Sequence, residues 1–377
     1  MSPVPRAARR LALLLPAALV ALQPVLAQQA ATPAAPAPRY VQTEGETPWI
    51  YRGSDVPQDK EWLFGEMPNG LRYAVRRNGV PPGQVSIRVR IDAGSLYERE
   101  SERGYAHLLE HLLFRQSKYL GPAQAIPTWQ RLGATFGSDT NAETSPTHTV
   151  FKLDLPGVTP TKLDESMKLL SGMVRAPVLS TTNVRAEVPI VLAEKRENGG
   201  PGERTGELTR QTLFVGQLLA SRSPIGTVET LTEATGKSVE AFYRRWYRPE
   251  NTVISVVGDA DPALLAAQVE KWFGDWQGRG PLTPAPSFGD PVAPPGVDPG
   301  NPVGETAVMV EPDLPRSFPF AILRPWRPVN DTIAYNQGIL RDTLAAALIN
   351  RRLEAHARAG GSYLYARVQQ DKISRSA

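Results

Sequence analysis

The chain contains no cysteine, so neither a disulfide framework nor thiolate chemistry contributes to it. Any metal site has to be built from histidine and carboxylate. Histidine is itself scarce, with four in 377 residues. An excess of one charge is also missing: 42 Lys and Arg face 38 Asp and Glu, and the first 27 residues hold Arg6, Arg9 and Arg10 but no acid. The remainder is close to neutral, which removes the electrostatic case for nucleic acid. Beyond Leu11 to Leu22 there is no second long apolar run, so the mature chain has no candidate membrane span.

What is present begins with that run. It follows the three arginines and precedes Val25-Leu26-Ala27, the layout of a cleavable secretory signal. Residues 1–27 are therefore expected to be a signal peptide that delivers the protein to the periplasm or the cell exterior. Residues 28–60 open on an Ala- and Pro-rich stretch and read as a flexible leader. An ordered domain is expected over 61–280 and a Pro-rich linker over 281–305. Residues 306–377 read as the start of a second domain that is cut short, being small for an independent unit.

Within 61–280 the pattern alternates between strand and helix periods. Trp62 to Glu66 and Leu71 to Arg76 flank Pro68-Asn69-Gly70, a hairpin signal. Gln84 to Ile91 places Val85, Ile87, Val89 and Ile91 on one face, and Thr147 to Leu155 repeats the alternation. Helices are expected at Pro127 to Leu132, Leu163 to Arg175, Arg185 to Asn198, Ser238 to Tyr247 and Pro262 to Phe273, with a strand at Thr252 to Val257. Further on, a helix from about Arg341 to His356 and a strand from Tyr363 to Gln369 are expected. This mixture predicts an α+β fold, a mostly antiparallel sheet packed with helices.

Two of the four histidines lie in one pentapeptide, His107-Leu-Leu-Glu110-His111. On a helix, positions i and i+4 share a face, so both imidazoles can reach one metal ion while Glu110 reaches a water beside it. The apolar flanks from Ala106 to Phe114 bury this helix on most sides, and buried ionisable groups are costly unless paired or metal-bound. A catalytic zinc takes three protein ligands, so a third donor is needed from outside the motif. Glu187 and Glu194 are seven residues apart, two helical turns, and point the same way.

His107-Leu-Leu-Glu110-His111 followed by Glu187 and Glu194 resembles the zinc site of the pitrilysin/insulinase metallopeptidases, the inverzincins, which include the mitochondrial processing peptidases. Asp92-Ala-Gly-Ser95, Asn141-Ala142 with Thr144, Ser223-Pro-Ile-Gly226 and Trp246-Tyr-Arg-Pro249 recur in the same order. The resemblance makes His107, His111 and Glu194 the ligands of one Zn2+ ion, Glu110 the base and Glu187 a catalytic carboxylate that orients a ligand or supports the base. It also implies that Asn141 and Ala142 lie on a substrate-binding edge strand. Arg358 and Tyr365 would add oxyanion donors from the second half. The peptides bound would be hydrolysed. A second subunit or a missing C-terminal half would complete a clamshell around them. A non-catalytic or partner-dependent subunit that binds peptides and forms a chamber wall stays open as the other reading. Pro189 departs from a regular helix: either the helix starts near it or Glu187 is displaced. His148 and His356 have no partner at ligand spacing and read as surface or cap residues.

Overall fold

The computed structural model describes residues 54–291, 304–312, 314–323 and 331–370. The expected signal peptide, most of the leader and part of the linker lie outside the described residues. Six strands form one sheet: β1 (Trp62–Glu66), β2 (Arg72–Arg77), β3 (Val85–Ile91), β4 (Thr140–Thr144), β5 (Thr149–Leu155) and β6 (Thr252–Gly258). Their order is β1-β2-β6-β3-β5-β4. Every pairing is antiparallel except β2 with β6, which are parallel. Parallel neighbours need a long crossover, and here it is the whole stretch that carries the candidate site.

The β1–β2 hairpin turns at Gly70, whose φ of +85° suits glycine. Asn69 secures the turn, accepting from the Leu71 N–H at 3.1 Å and donating to the Phe273 carbonyl at 2.9 Å. In β3, Val85, Ile87, Val89 and Ile91 are fully buried, and in β5 Thr149, Phe151, Leu153 and Leu155 are buried. The opposite face carries Arg88, Asp154 and Ser86, with Ser86 donating to Asp154 at 2.5 Å.

Nine helices accompany the sheet among the described residues: α1 (Tyr105–Arg115), α2 (Ala125–Arg131), α3 (Pro160–Arg175), α4 (Thr181–Asn198), α5 (Pro201–Leu213), α6 (Val228–Thr232), α7 (Gly236–Trp246), α8 (Pro262–Phe273) and α9 (Ile333–Arg358). α1 is the hub, touching β4 and β5 as well as α3, α4 and α7. One apolar core joins the inner strand faces to α1, α3, α7 and α8, with Trp129, Phe151, Phe242 and Phe273 among its largest buried side chains. A smaller cluster of Leu96, Phe214 and Leu219, with Phe288 and Leu323 against it, lies beside α5. No helix among the described residues is long and apolar enough to cross a membrane.

Four expectations change. α4 begins at Thr181, where the Ser180 side chain accepts from the Asn183 N–H at 3.1 Å, rather than at Arg185. Pro189 therefore sits inside the helix, on its exposed side. There the one hydrogen bond it removes can be replaced by water. α5 follows unanticipated, because none of its residues is buried and Gly202 and Gly206 weaken its periodic signal. α9 is longer than expected. Tyr363 to Gln369 is not a strand: among the described residues no neighbouring strand takes its backbone groups, and Val368 instead folds back on α9, exchanging two hydrogen bonds of 2.7 and 2.9 Å with the Asn350 side chain.

Candidate metal centre

α1 delivers the motif. Its Ala106, Leu108, Leu109, Leu112 and Leu113 are fully buried, so the remaining face carries His107, Glu110 and His111. The imidazoles stand edge to face, centroids 4.7 Å apart. α4 packs against α1 and presents Glu187 and Glu194 to that face. Glu194 Oε2 lies 3.6 Å from His107 Nε2 and 3.4 Å from His111 Nε2. Ligands about 2.0–2.1 Å from a tetrahedral zinc are spaced roughly 3.3 Å apart. The three donors, all within 4.8 Å of one another, therefore fit one zinc ion with little adjustment.

Glu187 is buried and bridges His111 Nδ1 to Arg115 Nη1, each at 3.0 Å. Accepting from Nδ1–H leaves the Nε2 lone pair of His111 aimed at Glu194, the tautomer a metal needs. Burial alone would raise the Glu187 carboxyl, but His111 and Arg115 outweigh it and hold the group below its usual range. For His111, burial works against protonation, yet Glu187, Glu110 and Glu194 overcome it and raise the imidazole pKa. His107 goes the other way: burial and the neighbouring His111 bring it down to about 4. Its Nδ1 is buried without a hydrogen-bond partner among the described residues.

Glu110 is buried, which raises its carboxyl. It is held at Oε2 by the Thr144 hydroxyl, which donates at 2.5 Å from β4. β4 is the last strand of the sheet; among the described residues β5 is its one strand partner, and its first residue, Thr140, also bridges Phe136. Asn141 and Ala142 lie on it and line the same cleft as the three donors and Glu110. That cleft has a volume of about 760 Å³ and is walled on its far sides by α5 and the loop around Gly226. A hollow of about 340 Å³ between Tyr119, Arg175 and Trp272 contains none of these groups.

Arg358 and Tyr365 are not brought to the cleft. Arg358 projects into solvent at the end of α9 and pairs with Glu354 one turn earlier, and Tyr365 is 74% exposed. α9 buries no residue, so no packing directs its end toward the site. His148 is half-buried in a turn, its Nδ1 2.9 Å from Ser145 Oγ, and His356 lies against the Tyr363 ring. Sequence reasoning overlooked Arg115, although its i+4 spacing from His111 places it on the site face. It also overlooked Glu98 at the start of α1, for which no local pattern gives a signal.

Two family models match the chain: "Insulinase (Peptidase family M16)" over residues 74–199 and "Peptidase M16 inactive domain" over residues 233–325. The probable zinc protease PqqL of Escherichia coli is 34% identical over 215 residues, which are 57% of this chain and 23% of that protein. Its namesake in Haemophilus influenzae is 33% identical over 208 residues, 55% of this chain and 22% of that protein. The crystal structure of the periplasmic protease PqqL from Escherichia coli superposes with a TM-score of 0.66 at 26% identity, covering 81% of this chain and 33% of that one. The matched residues thus span less than a quarter of the length of these two relatives. With the two models together accounting for more than half of its residues, the chain belongs to the insulinase (M16) family of peptidases.

Proposed function

We propose that this chain hydrolyses peptide bonds with one zinc ion held by His107, His111 and Glu194. The convergence of both Nε2 atoms on Glu194 Oε2 carries this reading. Bound there, zinc supplies Lewis acidity and lowers the pKa of water toward neutrality. Glu110, desolvated and aimed by Thr144, takes a proton from the attacking water and returns it to the leaving amine. Glu187 keeps His111 in the ligating tautomer.

Substrates are peptides or small unfolded proteins that add as a strand to the free edge of β4 beside Asn141 and Ala142. Main-chain pairing of that kind makes the enzyme an endopeptidase or oligopeptidase with loose sequence preference. The periplasmic setting of the Escherichia coli PqqL protein, together with the signal-like first 27 residues, supports a periplasmic location. The exposure of Arg358 and Tyr365 favours a chamber closed by further polypeptide, a second subunit or more of the second domain, before those two reach a substrate as oxyanion donors. The partner-dependent reading draws on the same observation.

Glu110→Gln preserves shape but cannot accept a proton. Zinc content is expected to stay at the wild-type level while peptide hydrolysis falls by about 10²–10⁴-fold, and a chelator should abolish wild-type turnover. Near-normal turnover in Glu110→Gln overturns the mechanism. Retained zinc with no wild-type hydrolysis of any peptide, alone or with added partner, supports a binding subunit instead.

A further inference from the structure

α1 carries two of the three metal donors, yet it starts without a capping side chain of its own. Its N-cap is Gly104, with φ +95°. A side chain there is disfavoured twice, by that conformation and by crowding, since a Cβ would sit a tight 3.0 Å from Gly226 Cα. The first-turn N–H groups must find acceptors elsewhere. Glu98, six residues upstream and 4% exposed, provides them. One carboxylate oxygen accepts from the Gly104 N–H at 2.9 Å and the other from the Ala106 N–H at 2.8 Å.

The geometry points to Glu98 as a positioning residue that sets His107 in the metal site. Ala106 immediately precedes His107, so the second of these bonds fixes the backbone from which that ligand springs. His111 has Glu187 to orient its ring, whereas the buried Nδ1 of His107 has no partner. With no partner on Nδ1 among the described residues, the direction of the His107 imidazole depends chiefly on its backbone and packing. Holding an acid there is costly: burial outweighs the two N–H donors and Arg222 and pushes the Glu98 carboxyl up to about 8.

The same corner reaches the other ligand helix. The Gly226 carbonyl accepts from Lys195 Nζ at 2.9 Å, and Lys195 adjoins Glu194. Gly226 also packs backbone to backbone on Gly104. Glu98, Gly104, Gly226 and Lys195 thus link the start of α1 to the ligand-bearing turn of α4.

This inference rests on the zinc reading, so its test measures zinc as well as turnover. The 377-residue chain is compared with Glu98→Ala, Glu98→Gln and the core control Phe273→Leu by chelator-competition zinc affinity, metal-free unfolding, kcat and KM. Glu98→Ala is expected to bind zinc about 10–100-fold more weakly and to lose kcat more than KM. Glu98→Gln, which keeps one oxygen acceptor, should fall between. Phe273→Leu should lose stability yet bind zinc like the wild type. Wild-type zinc affinity in the folded Glu98 variants, or an equal loss in Phe273→Leu, overturns the role of Glu98. If Glu98→Ala does not fold, Glu98→Gln decides by the same criterion. A wild-type chain that binds no zinc is a different result, and removes the metal site itself.

Discussion

His107 and His111 share one helix face but occupy opposite electrostatic settings. His111 faces three carboxylates, which raise it against burial, while His107 is lowered to about 4 by burial and by His111. The consequence for stability follows from linkage. A histidine whose pKa is depressed in the folded state binds fewer protons there than when unfolded, so its contribution is full above about 6.5 and is lost as pH falls toward 4. The metal-free chain should therefore lose stability across that window, by up to about 3 kcal/mol from this residue. His107→Gln removes the contribution and leaves His111 in place. Urea midpoints between pH 7 and pH 4, with chelator present, should fall more steeply in the wild type than in the variant; parallel slopes would show that His107 is not depressed. Above pH 4 the neutral His107 is ready to ligate a metal without first losing a proton.

At the scale of elements, the decisive contact is between two pieces of backbone. Gly226 has φ +68°, and a Cβ on it would fall 2.4 Å from Gly104 Cα and 2.5 Å from the Arg103 carbonyl. Backbone at both contacts cannot yield as a flexible side chain does. Gly226→Ala is expected to cost about 2 kcal/mol or more, since the left-handed conformation alone costs of order 1–3 kcal/mol, and to weaken zinc binding by moving α1 from α4. Gly202→Ala on α5 meets nothing within 4 Å and should be neutral or slightly stabilising. Thermal unfolding of the pair checks this, and equal losses would refute the close approach. How far such elements could be read from sequence depended on burial. The alternation of β3 was legible because one of its faces is wholly buried. α5 was not, because it buries no residue and carries only Leu208 and Leu213 as large apolar side chains.

For the whole molecule, a ligand that binds only the folded chain stabilises it by mass action. Zinc at about 100 times its Kd should add roughly 2.7 kcal/mol, seen as a rise in Tm that chelator reverses. In His107→Ala the rise should be largely lost; an undiminished rise would place the stabilising zinc elsewhere. The same measurement bears on α9, which buries no residue and exposes Leu340, Leu344 and Leu348. Its unfolding should follow a separate, zinc-insensitive transition, readable by hydrogen exchange along Ile333–Arg358.

Residue order alone sets the local chemistry of this protein. An i, i+4 pair of histidines with a carboxylate between them shares a face on any helix, and strict alternation in Val85–Ile91 makes a half-buried strand wherever it lies. Both depend only on the period of the backbone. Packing of the folded chain selects which distant groups meet them. Glu194 faces both imidazoles because α4 packs on α1, Thr144 reaches Glu110 because β4 packs on α1, and Glu98 caps α1 because φ +95° and the crowding of Gly226 disfavour a side chain at the N-cap. Two of these partners come from separate elements, and the third is decided by a loop more than a hundred residues downstream. Sequence spacing carries no record of them, since helix crossings, strand order and backbone approach are set by packing of the shared core.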